Sequence, residues 1–501
     1  MPLTEQTMTE QTGPKTVGQL PNTSTSTPLA PAVFTRLVWT LFVASLGALV
    51  ARQLTGGHWE IPGLAAVDGL TVLLWVVVTF FSGIVHSYSR RYMAGSEHIT
   101  RFFTRLFAFT ISVMVLVAAD HVALFGAAWL AMGLVMADLI GTVRGWPQAR
   151  AAAALARRYF LASSLFLGAA LATLAWATGA TTISGILTAV GTVPDATLLV
   201  AAGLLLLAAM VQSALVPFHS WLLSSMTAPT PASALMHAGF VNAGGILLLR
   251  FAPVVTADAT FMLLVVVAGA TSALLGKLLK AVQTDVKRKL GCSTTGQMGF
   301  MIAQAGLGFF GAAIAHLILH GFYKAYLFLS AGEQVEHTSP ATSEPGTVTL
   351  VGGAVTVLTA VAGGALFALL TGKGTHFDSG LLLTGLISLT TLHATWTAVR
   401  HTDVPAAIRY GVVPLVFLPA IAVYAGVYTA VSAVLAGVPL VTAPAELTLV
   451  HGLVAVAFLA AYVAIETGLY QRSRRLYVAL VNASQPSTGT LLTATEEYNE
   501  Y

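Results

Sequence analysis

Three residues spaced four apart in an apolar stretch, His316, His320 and Lys324 of AAIAHLILHGFYKAYLFLSAG, form a row of protonatable groups. On an α-helix a step of four residues turns by only about 40° and rises about 6 Å, so the three share one face. Imidazole changes its charge near neutral pH, and such a row can hand protons along its length. The competing reading is three polar side chains held by static hydrogen bonds to neighbouring helices.

A second group lies in VQSALVPFHSWLLSSMTAPTPASALMHAGFVNAGG, where Pro217 falls inside an apolar helix and Pro229 and Pro231 break it again. Proline removes a backbone donor and clashes one turn back, which leaves polar backbone groups free. Discontinuous helices of this kind are tolerated where the freed groups line a cavity, and they are typical of ion sites. Thr230 reads as an N-cap and Pro231 as the first residue of a new helix that carries His237 and Asn242 into the apolar layer. The alternative is a simple kinked helix with His237 bonded to a backbone carbonyl.

LLGKLLKAVQTDVKRK supplies the third group, with Lys277 and Lys280 one turn apart, then Asp285 and the cluster Lys287, Arg288 and Lys289. Snorkelling accounts for the last three and for Lys280, whereas Lys277 lies about 15 Å from Lys287 along a helix, too deep for an easy excursion. Asp120, beside His121 at a short turn, reads as interfacial. Asp138 in AMGLVMADLIG is a candidate counter-charge for a buried Lys or protonated His.

The elements that position these residues follow from composition. Of 501 residues, 56% are hydrophobic and 9% charged, against roughly 25% charged in soluble domains. Such a chain cannot cover its own surface in water, and its apolar runs reach the roughly 20 residues that cross a bilayer. Uninterrupted runs lack the alternation of a barrel, so the fold class is all-α, a polytopic transmembrane helix bundle. Spans are expected at roughly 34–54, 64–86, 102–119, 121–142, 158–178, 197–226, 231–251, 258–282, 290–308, 309–332, 347–371, 380–399, 408–437 and 446–470, about fourteen in all. Residues 1–31 read as a disordered tail without a secretory signal, 32–475 as the membrane domain, and 476–501 as a polar C-terminal tail.

Basic clusters follow the second span (Arg90, Arg91, Arg101), the fourth (Arg144, Arg150, Arg157, Arg158), the eighth (Lys287 to Lys289), the twelfth (Arg400, Arg409) and the last (Arg472, Arg474, Arg475). By the positive-inside rule both termini are expected in the cytoplasm, and the net charge of +4 reads as topology rather than nucleic-acid binding. The single cysteine, Cys292, excludes an intrachain disulfide and a CxxC redox pair. No Walker A loop, HExxH or nucleophile triad stands in a plausible context, so neither an enzyme nor a cofactor or metal of this chain is expected.

With these residues laid out, the chain resembles the antiporter-like membrane subunits shared by respiratory complex I and the Mrp sodium/proton antiporters. The likeness runs from about residue 66 to 335 through VDGLTVLLWVVVTFFSGIVHSYSRRYMAG, RFFTRLFAFTISVMVLVAADHVALF, QSALVPFHSWLLSSMTAPTPASALMHAG, VQTDVKRKLGCSTTGQMGFM and HLILHGFYKAYLFLSAG. The resemblance implies two inverted repeats of five helices, each with one broken helix, and a mid-membrane chain of Lys, His and Glu. The first break would lie near Pro217 and the second is expected around 347–371, where the glycines of VGGAV and VAGGAL are the hint.

The departures are specific. Gln212 stands where the family carries a Lys, and Leu130 of AWLAMG where it carries a Glu, so the family's first proton channel lacks both titratable members. His237, His316, His320 and Lys324 match the family, while Lys277 and Lys280 replace residues that are small or apolar there. A shortened relative of this kind is similar to the membrane subunits of the DAB inorganic-carbon accumulation complexes of bacterial plasma membranes. That resemblance implies a soluble DabA-like partner carrying zinc in a carbonic-anhydrase-like site, with flow of H+ or Na+ through the membrane subunit driving hydration of CO2 to bicarbonate. His316, His320 and Lys324 would then be the relay, His237 its link to the broken helix, and Lys277 with Lys280 a replacement for the lost Lys. A Na+/H+ antiporter or respiratory subunit, and a non-conducting anchor for a soluble enzyme, stay open beside it.

Overall fold

The computed structural model describes residues 28–331, 349–400 and 405–491. Each of the fourteen expected spans corresponds to a helix. They are α1 (Leu29–Thr55), α2 (Gly69–Tyr92), α3 (Ile99–Ala118), α4 (Val122–Ile140), α5 (Pro147–Thr178), α6 (Asp195–Gln212), the pair α8 (Thr230–Ala238) and α9 (Ala243–Arg250), α10 (Ala259–Ala281), α11 (Val286–Gly306), α12 (Phe310–Leu329), α13 (Leu350–Thr371), α14 (Ser379–Arg400), α15 (Ala406–Val434) and α16 (Leu449–Glu466). Between α6 and α8 lies the five-residue α7 (Ser220–Ser224). Among the described residues thirteen spans are long and apolar enough to cross a membrane; α11 is the fourteenth, too polar to qualify because it carries the Lys287 cluster, Thr294, Thr295 and two glutamines. A short antiparallel hairpin, β1 (Trp59–Ile61) with β2 (Ala65–Val67), joins α1 to α2.

Burial separates the centre from the rim. The α8–α9 span is 89% buried, α2 72% and α12 61%, whereas α16 is 11% and α1 17% buried. The rim helices present leucines and valines such as Val43, Leu415, Val423 and Leu459 outward, as lipid demands. His237, His316, His320 and Lys324 therefore ride on these central spans, buried from the surface, whereas Lys277 and Lys280 are only partly buried.

Several helices start on a side-chain cap. Asp68 caps α2 through the Thr71 amide, Asp258 caps α10 through Phe261, and Asp285 caps α11 through Arg288. An acidic side chain there satisfies an orphan amide and complements the helix dipole. Helices α10 and α11 pack backbone to backbone because Gly269 and Gly276 face Gly296 and Gly299. A Cβ at Gly276 would lie 3.0 Å from the Cys292 carbonyl oxygen, and one at Gly306 2.6 Å from the Val266 amide. Small residues at such seams let membrane helices approach closely.

The break near Pro217 is present. Helix α6 ends at Gln212, Ala214 takes a positive φ of 53°, the Val216–Pro217 bond is cis, and helix resumes at Ser220. The next helix begins one residue earlier than expected, with Pro229 rather than Thr230 at the N-cap and Pro231 in the first turn. An interruption not foreseen divides the 231–251 span at Gly239, after which Phe240–Asn242 form a 3-10 turn.

The second break expected around 347–371 is absent, since α13 runs unbroken through 22 residues. Its glycines are spacers. A Cβ at Gly363 would strike Ile421, one at Gly364 would strike Ser388, and one at Gly352 would lie 2.9 Å from Val399. Glycine without proline costs a helix only about 1 kcal/mol, which close packing against α14 and α15 offsets. Pro414 and Pro419 lie inside α15, which stays helical through them.

Of the residues set apart as a C-terminal tail, those up to 491 are described. Helix α17 (Arg474–Ala483) lies against the broken helix. His219 Nε2 meets the Ala483 carbonyl at 3.0 Å, the Ser487 amide donates to Ser224 Oγ at 3.0 Å, and Arg288 donates to Gln485 Oε1 at 3.3 Å. The polar connection from Glu333 to Thr347 lies outside the described residues.

Candidate functional site: a buried histidine and lysine array

The row on α12 is real and fully interior. His316, His320 and Lys324 are 9%, 5% and 0% exposed. The rings of His316 and His320 stack at 5.9 Å between centroids. Lys324 Nζ reaches across to α11 and donates to the Leu290 carbonyl at 2.8 Å.

That carbonyl also joins His237 to the row. Thr294 Oγ1 donates to Leu290 O at 2.9 Å and stands 3.0 Å from His237 Nδ1. The hydroxyl has one hydrogen, committed to the carbonyl, so Nδ1–H is the donor to Thr294 and Nε2 carries the lone pair. His237 is stacked on Phe328 at 4.4 Å. Its Nε2, the Nε2 of His316 and both ring nitrogens of His320 have no hydrogen-bond partner among the described residues.

A cavity of about 410 Å³ opens beside this row, lined by His316, Lys277, Lys280, Gln297 and Tyr424 among others. From its wall Lys277 Nζ lies 2.7 Å from His393 Nε2 on α14, and His393 Nδ1 lies 2.6 Å from Glu466 Oε1 at the end of α16. Arg400 donates to the other Glu466 oxygen at 3.2 Å. Sequence reasoning singled out Lys277 but missed His393 and Glu466. The signal that marked the other sites, an ionisable residue within an apolar span, was present in LTTLHATW and YVAIETG. His86 was missed in the same way; it is buried in α2, with Nδ1 2.8 Å from the Ser82 carbonyl oxygen and Nε2 without a partner among the described residues.

The remaining candidates take other places. Asn242 donates to the Ala238 carbonyl at 2.7 Å and so satisfies a group freed by the break at Gly239. Gln212 is buried with neither amide atom bonded among the described residues, and an amide cannot relay a proton by titration. Asp138 faces neither a Lys nor a His: Arg105 and Arg157 bind its two oxygens at 3.2 and 2.9 Å. Asp120 accepts from the amide and hydroxyl of Ser184 at 2.8 and 2.7 Å, at the chain turn where it was expected. Asp285 is spent on its cap.

Comparison with known proteins matches residues 119–345 to the transmembrane family described as NADH:quinone oxidoreductase/Mrp antiporter, and residues 54–103 to the complex I chain 5 N-terminus. Together these matches cover more than half of the chain. Over these residues the chain is similar to antiporter-like membrane subunits. It is 40% identical over 282 residues to a probable inorganic carbon transporter subunit, DabB1, of Halothiobacillus neapolitanus, covering 54% of this chain and 50% of that protein. To the DabB subunit of Bacillus subtilis it is 37% identical over 334 residues, covering 65% of this chain and 64% of that one. The chain thus spans about half to two-thirds of the length of these curated relatives. The structure of the Mrp complex from Dietzia sp. aligns with a TM-score of 0.55 and 25% identity over 94% of this chain and 52% of that one. In this antiporter-like chain the histidine and lysine array lies almost wholly within the matched 119–345 segment, whereas His393 and Glu466 lie beyond it.

Proposed function

We propose that this chain is the proton-translocating membrane subunit of an energy-coupled inorganic-carbon uptake complex in a bacterial plasma membrane. The observation that carries the reading is the buried row from His237 through Lys324, His320 and His316 to a cavity bounded by Lys277. Protonatable groups at such depth cost several kcal/mol and mark ion pathways; the Leu290 carbonyl and Thr294 join His237 to Lys324, the rings of His320 and His316 stack, and His316 shares a cavity wall with Lys277. Similarity to DabB subunits supports the carbon-uptake side. Hydration of CO2 then belongs to a soluble, DabA-like zinc-bearing partner. Both termini face the cytoplasm in this reading, which places the docked C-terminal segment and the basic clusters on the partner's side.

The loss of titratable groups at Leu130 and Gln212 disfavours the Na+/H+ exchange reading. The test is co-expression with the genomic neighbour in a bacterium lacking carbonic anhydrase. Growth in ambient air that needs both proteins and stops on adding an uncoupler is the expected result. Rescue that survives the uncoupler would leave the chain a passive anchor, and no rescue with both proteins in the membrane would turn the reading to antiport, checked by sodium efflux.

A further inference from the structure

We propose that Lys277, His393 and Glu466 form a proton wire that joins the central cavity to the end of the bundle where Arg400 and Glu466 close helices α14 and α16; this rests on the proton-translocating reading above. The geometry has the required order. Lys277 Nζ lines the cavity and approaches His393 Nε2 at 2.7 Å, and His393 Nδ1 approaches Glu466 Oε1 at 2.6 Å. A carboxylate only accepts, so Nδ1–H donates to Glu466 and the Nε2 lone pair accepts from Lys277.

One transfer balances as follows. The Lys277 ammonium gives a proton to Nε2 while the Nδ1 proton passes to Oε1. The products are a neutral amine, a neutral imidazole of the opposite tautomer and a carboxylic acid. Arg400, 3.2 Å from Oε2, pairs with the carboxylate again once the proton departs, which favours release. The starting tautomer returns by exchange with water, Nδ1 taking up a proton as Nε2 gives one up, at a side chain that is 28% exposed. Glu466 is 12% and Arg400 33% exposed along their side chains, so the wire leads outward from the cavity. Lys280 on α10 and Tyr462 on α16, whose ring meets that of His393 edge to face at 6.0 Å, complete the titratable surroundings on the cavity side.

The alternative is a static strut tying α10, α14 and α16 together. The two are separated by proton flux into liposomes with an entrapped pH dye, using the full-length chain co-expressed with its genomic neighbour. His393→Ala is expected to lower flux at least tenfold, with external imidazole restoring it several-fold, because the adjoining cavity has room for the free base. Lys277→Arg keeps charge and hydrogen bond but holds its proton, and is expected to lose as much. Glu466→Gln is expected to lose flux without responding to imidazole. Wild-type flux in Lys277→Arg or in His393→Gln overturns the wire, also where His393→Ala fails to fold. So does a loss in His393→Ala that imidazole leaves unchanged. Absence of flux in the wild-type protein removes the proton-translocating reading itself and the wire with it.

Discussion

Lys277 and His393 stand 116 residues apart in the chain and 2.7 Å apart in space, and that contact joins the cavity beside the α12 histidines to the carboxylate of Glu466. The matched family segment ends before His393. This chain therefore joins a lysine of the matched segment to residues outside it, while Gln212 and Leu130 stand elsewhere in the bundle where the family resemblance would supply titratable groups.

Among the described residues Lys324 is the one lysine with no exposed surface, and its ammonium is held by the Leu290 carbonyl. Lys324→Ala is expected to reduce carbon-dependent growth in the two-protein assay at least tenfold. Immunoblots of the membrane fraction should show normal protein, because the Leu290 carbonyl keeps its bond from Thr294. Retained growth would remove the α12 row from the path.

Thr294 sets which nitrogen of His237 carries the proton. Thr294→Val is nearly isosteric and should cost about 1 kcal/mol of stability while lowering proton flux several-fold. Thr294→Ser restores the hydroxyl and should recover it. Equal flux in all three proteins would mean the tautomer of His237 is immaterial.

Gly276 precedes Lys277 and leaves no room for a side chain against the backbone of Gly296 and Cys292. Backbone cannot swing aside, so Gly276→Ala should push α10 away from α11 and cost about 1–3 kcal/mol, in the range of overpacked cores. Lys277 then loses its register with His393. A lowered thermal midpoint in detergent together with lost flux is the expected pair of results; unchanged values of both would refute the close packing.

Asp68, at the start of α2, forms a bidentate-like contact with Arg250, whose other nitrogen also donates to the Val117 carbonyl at 2.9 Å. Burial opposes ionisation of Asp68, but the charge and hydrogen bonds of Arg250, with help from Thr71, outweigh it and hold the carboxyl below its ordinary value. A depressed carboxylate pKa contributes stability that is full above the unfolded value of about 3.9 and is lost as pH falls through the folded value. Asp68→Asn strands a buried guanidinium and should cost on the order of 3–5 kcal/mol near neutral pH. The gap in thermal midpoint between wild type and variant should narrow as the pH is taken below about 4. A gap that does not change with pH would show that the loss is steric.

Local rules made much of this protein legible. Hydropathy over about 20 residues is a property of contiguous sequence, so fourteen spans and the all-α class could be read directly. The spacing of His316, His320 and Lys324 placed them on one face because helical period is equally local, and the Pro217 break follows from proline's own geometry. Glycine misled in α13, where whether it breaks or packs depends on what stands opposite, and Ile421 and Ser388 are supplied from other helices. Asp138 likewise went to Arg105 and Arg157 because helix rotation and neighbours, not the sequence around it, select its partner. Helix periodicity determined which protonatable residues share a surface. Only the tertiary structure decided that Lys277, His393 and Glu466 meet, because hydrogen bonds between three helices depend on how those helices cross, which no spacing within any one of them records.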